Sequence, residues 1–126
     1  MFVDNLLTLM TSDSSLNTLV TGNIVYNHLP VDFNTSKTHI VFNFAKVEDI
    51  PCMNATTVYS NYNLECQLVA PDLTDVVDIA EELNTYLTNY SNNNFIEINF
   101  RDEVVNFNTE KGVYYKNHNF TIMYVE

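Results

Sequence analysis

Between Val58 and Ala70 the chain alternates between two sets of residues almost without interruption, and at Pro71-Asp72 the period changes. Val58, Ser60, Tyr62, Leu64, Cys66, Leu68 and Ala70 fall on one side of a strand, with Tyr59, Asn61, Asn63, Glu65 and Gln67 on the other. A period of two over this length describes a strand with one buried and one wetted face, as in an antiparallel sheet. After Asp72 the apolar positions are Leu73, Val76, Val77, Ala80, Leu83 and Leu87, the stripe of an amphipathic helix. A half-buried strand followed by a one-sided helix demands a sheet with helices packed on one face.

The other segments fit that demand. Val3, Leu6, Leu7 and Met10 are at helical spacing, and Thr11-Ser12-Asp13 offers caps for a second short helix carrying Leu16, Leu19 and Val20. Gly22-Asn23 ends the helical region, and Ile24-Val25-Tyr26 reads as a short strand leading into a loop around Pro30. Thr38 to Phe44 is the next strand, with Ile40, Phe42 and Phe44 on one face. The stretch from Lys46 to Thr56 contains Pro51, alternates poorly and reads as a loop. Asp72 is placed to cap the helix that runs to about Asn89; Asp75, Asp78, Glu81 and Glu82 lie opposite its apolar stripe, with Ile79 and Tyr86 at the border. Ile96, Ile98 and Phe100 mark another strand, Glu110-Lys111-Gly112 a turn, and Val113 to Val125 the closing strand. The expected fold class is α+β: a single domain over residues 1–126, an antiparallel sheet with N-terminal helices and one amphipathic helix on one face.

Charge excludes whole classes of partner. Five basic against sixteen acidic residues leave a net charge of −11, and Arg101 is the only arginine. That balance disfavours nucleic acid or an anionic membrane as a partner. No stretch approaches the apolar length of a membrane span, and Met1-Phe2-Val3-Asp4 lacks the basic start of a signal peptide, so a cytosolic product is expected. Cys52 and Cys66 are too few for a disulfide framework and read as reduced thiols.

Catalytic patterns are missing. His28, His39 and His118 have no carboxylate at metal-ligand spacing, and His39, opposite Ile40 and Phe42, is expected at a surface or edge. Two glycines, Gly22 and Gly112, cannot build a phosphate-cradling loop. The adjacent acids Glu48-Asp49, Glu81-Glu82 and Asp102-Glu103 point in different directions on a helix or a strand, so they read as solvated charge. The chain is read as a non-enzyme without cofactor or metal.

The order of elements and several local stretches resemble the phage tail-terminator or tail-completion family. They are Leu6-Leu7-Thr8-Leu9 with Ser14-Ser15-Leu16-Asn17-Thr18-Leu19-Val20, then Gly22-Asn23-Ile24-Val25-Tyr26 and Leu29-Pro30. His39-Ile40-Val41-Phe42, the strand from Tyr62 to Ala70, the helix from Val76 to Leu87 and the strand from Tyr114 to Tyr124 continue the resemblance nearly end to end. The composition departs from the family in being rich in Asn and poor in Arg and Gly, and no family contact residue carries over. The resemblance implies a virion protein of the tail or neck, assembled in the host cytoplasm. It implies a homo-hexameric ring that caps the tail tube protein, joins it to the neck or head-tail connector protein, and lets DNA pass without specific binding.

Two physical points accord with that implication. Strand edges and the loops Pro30 to Lys37 and Lys46 to Thr57 could serve subunit contacts. Six copies would carry about −66 if charges simply add, and such a ring repels the phosphate backbone. Candidate subunit or partner contacts are Glu48, Asp49, Ile50 and Pro51, the strand face with Tyr59, Asn61 and Asn63, and the helix border Ile79 and Tyr86. Two alternatives are a connector or stopper component of the neck and an acidic DNA-mimic inhibitor. The mimic needs carboxylates at phosphate spacing along an elongated surface, whereas here one cluster lies on the helix and the rest are dispersed.

Overall fold

The fold is described from a computed structural model covering residues 2–29, 33–51, 58–109 and 111–125. Helices α1 (Phe2–Thr11) and α2 (Ser14–Val20) precede strands β1 (Ile24–Tyr26), β2 (His39–Pro51) and β3 (Val58–Ala70); α3 (Leu73–Thr88), β4 (Phe95–Asn108) and β5 (Val113–Val125) follow. The strands form one sheet in the order β1-β2-β3-β5-β4, with the three helices on one face. The α+β class is as expected. The sheet is mixed rather than wholly antiparallel, because β1 pairs parallel to β2, Ile24 opposite Ile40. Three residues of β1 carry too little pattern to reveal the direction of their pairing.

The N-terminal helices are set by local chemistry. The Asp13 carboxylate accepts a hydrogen bond from the Leu16 amide, and Thr21 (φ 54°) and Gly22 (φ 74°) turn left-handed to end α2. The Gly22 amide then donates to the Asn17 carbonyl at 2.9 Å. α1 buries Phe2, Leu6, Leu9 and Met10, leaving Val3 and Leu7 outside. This face is rotated from the expected stripe because Phe2 is drawn into the sheet. Its ring stacks on Tyr62 at 3.7 Å and meets Tyr124 edge-on at 4.8 Å. Leu19 is likewise exposed, while Leu16 and Val20 are buried.

β3 behaves as its alternation predicts, with Ser60, Tyr62, Leu64, Cys66, Leu68 and Ala70 buried against the helices. The loop expected from Lys46 onward is strand as far as Pro51; residues 52–57 of that loop lie outside the described residues. One extra residue explains the misreading. Lys46 lies opposite Tyr62 but Glu48 lies opposite Asn61, so Val47 is bulged and the alternation changes face there. β4 has two such irregularities, around Ile96 and Arg101, and extends to Asn108. They scramble its period, and its second half therefore reads as strand end and turn.

In α3 the buried residues are Val76, Ile79, Ala80, Leu83 and Leu87. Ile79, taken from sequence as a border residue and candidate contact, is 1 % exposed and belongs to the core. Leu73 and Val77, expected in the stripe, are exposed. Helix–helix packing accounts for the rotation. The Tyr86 hydroxyl donates to the Leu9 carbonyl of α1 at 2.7 Å, so the Ile79–Tyr86 flank leans on the N-terminal helices and the Leu73–Val77 flank faces outward. Asp72 occupies the N-cap position of α3 without a side-chain hydrogen bond to it.

Candidate assembly surfaces

The residues singled out from sequence do not form one patch. The register places Glu48, Ile50, Tyr59, Asn61 and Asn63 on the helix-free side of the sheet, because Glu48 pairs with Asn61 and Ile50 with Tyr59. Asn61 donates to Glu48 at 3.1 Å. The bulge turns Asp49 to the opposite side, where its carboxylate accepts from the Ser60 hydroxyl at 2.6 Å and pairs with Lys46 at 3.0 Å. These contacts, Ser60 first and then Lys46, hold the Asp49 carboxyl below its usual range. Pro51 pairs with Val58 at the strand end. Tyr86 is half-buried behind α1, and burial pushes its hydroxyl pKa up to about 12.

The open side of the sheet is paved with amides. Asn43, Asn61, Asn63, Asn99, Asn117 and Asn119 occupy it, together with Gln67 and Thr121. Its strand acids are Glu48, Glu65, Glu97 and Asp102, with Arg101 at the neighbouring bulge. Asn119 donates to Asp102 at 2.6 Å, beside a shallow trough of about 500 Å³ that Asn43, Asn63, Glu65 and Arg101 also line. His39, expected at a surface, is buried on this side. The Phe33 ring stands edge-on to it at 5.4 Å. Burial holds His39 below the ordinary histidine pKa, against the raising effect of its contact with the Lys37 carbonyl.

Sequence reasoning missed the polar cluster on the helix side of β4 and β5. The Lys116 ammonium lies 2.9 Å from Glu103, and the same carboxylate oxygen is 3.3 Å from His118 Nδ1. Lys116 and His118 are buried, whereas Glu103 is about half exposed. Hydrogen bonding from Lys116 lowers the Glu103 pKa. Desolvation lowers that of His118, with Glu103 opposing and Lys116 reinforcing the shift. Alternating Lys116 and His118 with Tyr114 and Phe120 was the available signal, since all four share the helix-facing side of β5.

The His118 shift has a defined sign. A histidine held below its unfolded value of 6.5 binds its proton more weakly when folded, so acid favours the unfolded chain. Its contribution to stability is present above about pH 6.5 and is lost as pH falls through that value toward the folded pKa. Urea unfolding is expected to show falling stability from about pH 7 to 5.5. His118→Gln should flatten that slope, leaving the share due to His39; an unchanged slope would refute the assignment.

Cys66 is fully buried, and desolvation raises its pKa, which keeps it an unreactive thiol; Cys52 lies outside the described residues. Among the described residues no group of three or more His, Cys, Asp or Glu side chains could hold a metal, and no helix is long and apolar enough to cross a membrane.

No protein-family model matches the sequence, and no curated protein matches it. Its fold is similar to that of a chain from the virion of a native gene transfer agent particle. The TM-score is 0.70 at 11% identity, covering 95% of this chain and 91% of that one. At that identity the likeness establishes a shared fold.

Proposed function

We propose that the chain is a structural protein of a phage-like virion, acting in the tail or neck. In this reading a homo-hexameric ring caps the tail tube, meets the neck or connector on its other side, and leaves an open channel for DNA. The fold likeness to a gene transfer agent virion chain, running through nearly the full length of both chains, carries the proposal. The amide-paved sheet and the net charge of −11 are compatible with a conduit that DNA crosses without adhering. No catalytic role is assigned.

The likeness is to a chain of a whole particle, so it also supports a connector or stopper in the neck. Polymerising tube protein separates the two. A terminator arrests growth at the tube end, whereas a connector leaves tube length unchanged and binds the portal-side adaptor. Negative-stain images are expected to show six-fold rings with a central hole. A protein that stays monomeric and competes with DNA for a nuclease would instead establish the DNA-mimic alternative.

A further inference from the structure

We propose that the free edge of β4, with the groove between it and α3, seats the β1 border of a second copy of this chain in a head-to-tail contact. The proposal rests on the ring reading and names the surfaces through which the ring would close.

β4 is fourteen residues long and lies at the end of the strand order, bonded among the described residues to β5 on one side only. An open edge of this length is a template for another strand, and proteins that leave one bare usually blunt it with charge, proline or bulges. Here both bulges and the charged residues Glu97, Arg101, Asp102 and Glu103 lie in the first part of the strand. The outer stretch Val104-Val105-Asn106-Phe107-Asn108 has none of these devices. Val104, Val105 and Phe107 in it are 52%, 47% and 49% exposed.

Beside the charged first part of this edge runs a cleft of about 290 Å³, walled by Val77, Glu81 and Asn84 of α3 and by Phe100, Glu103, Lys116 and His118 of the sheet. It contains unmet hydrogen-bonding capacity. Asn84 Oδ1 is buried without a partner among the described residues, and so is His118 Nε2. His118 Nδ1, although 3.3 Å from Glu103, makes no well-aligned hydrogen bond. An occupant must therefore be apolar along the edge and bring a hydrogen-bond donor for Asn84.

The opposite border of the same sheet offers both. β1 carries Tyr26, exposed and with a hydroxyl donor, and α1, which touches β1, leaves Val3 and Leu7 exposed one turn apart. Leu19 of α2 is exposed as well, and Ser14 to Leu29 contains no Asp, Glu, Lys or Arg. Copies of a chain with net charge −11 repel, so contact is favoured where both surfaces are uncharged. The outer β4 stretch Val104 to Asn108 and the β1 border from Ser14 to Leu29, both without Asp, Glu, Lys or Arg, lie at opposite ends of one sheet and give a heterologous contact, the kind that generates a ring when its rotation closes.

The test uses the full chain and native mass spectrometry, with circular dichroism to check folding. Phe107→Glu spoils one border and Leu7→Glu the other; Val105→Lys is a second variant of the β4 edge should Phe107→Glu misfold. Wild type is expected as a ring and each folded variant as a monomer. An equimolar mixture of a β4-edge variant with Leu7→Glu should yield one-to-one dimers, because each copy retains one intact border. If wild type forms rings and the β4 variants do too, the edge assignment fails while the ring reading stands. If Leu7→Glu alone dimerises, β4 edges pair with each other and the head-to-tail contact is wrong. A wild type that remains monomeric at every concentration would overturn both readings.

Discussion

Phe2→Ala is expected to destabilise the protein by about 3–5 kcal/mol, the usual cost of truncating a fully packed aromatic residue. Phe2 is 4 % exposed and is surrounded by Tyr62, Phe44, Phe95 and Tyr124, with ring centroids between 3.7 and 6.0 Å away. Its loss removes the aromatic contacts of α1 with the sheet, and total stabilities are on the order of 5–15 kcal/mol. Urea unfolding should show a large fall in midpoint with little change in slope. A decrease below about 1 kcal/mol would mean that Leu6, Leu9 and Met10 hold α1 without it.

Glu103→Ala is expected to cost about 1–3 kcal/mol at neutral pH. Removing one partner of a fully buried pair costs about 3–5 kcal/mol, and the half-exposed position of Glu103 reduces that figure through solvent screening. The variant leaves the Lys116 ammonium buried without its carboxylate. Adding Lys116→Met should recover much of the loss, since an apolar side chain of similar length suits the site better than an unpaired charge. Equilibrium unfolding of the two single variants and the double variant gives the coupling energy. Simple additivity would show that the pair contributes nothing.

Elements whose pattern runs unbroken were legible in the sequence. β3 and β5 occupy the expected residues because neither contains a bulge, so burial alternates along each in step with the sequence. Where one residue is inserted, legibility stops: the bulge at Val47 made the second half of β2 look like a loop, and the irregularities in β4 disguised its outer half. Helix existence was readable, but helix rotation was not. Whether Ile79 or Val77 faces inward depends on α1 and α2 leaning against α3, a tertiary matter that no local period encodes.

The candidate surfaces fared likewise. Glu48, Ile50, Tyr59, Asn61 and Asn63 share a face because two strands in register bring them together, while the same bulge sends Asp49 to the other side. Burial removes Ile79, while Tyr86 is half-buried with its hydroxyl bonded to the Leu9 carbonyl. The β4 edge was invisible because exposure of Val104, Val105 and Phe107 follows from strand order, and strand order is not written in any short stretch of residues.

The clasp between α1 and β5 also has a consequence for synthesis. Phe2 packs against Tyr124, and Asn5 donates to the Tyr124 hydroxyl at 2.7 Å across a sequence separation of 119 residues. A ribosome adds Tyr124 more than a hundred residues after α1, at about 5–20 residues per second. For those seconds the apolar side of α1 lacks part of its seat, and the sheet lacks β5, the strand that joins β4 to β3. Folding therefore completes only after β5 has emerged from the exit tunnel, and a nascent chain arrested before Val113 should remain open to proteases that the finished chain resists.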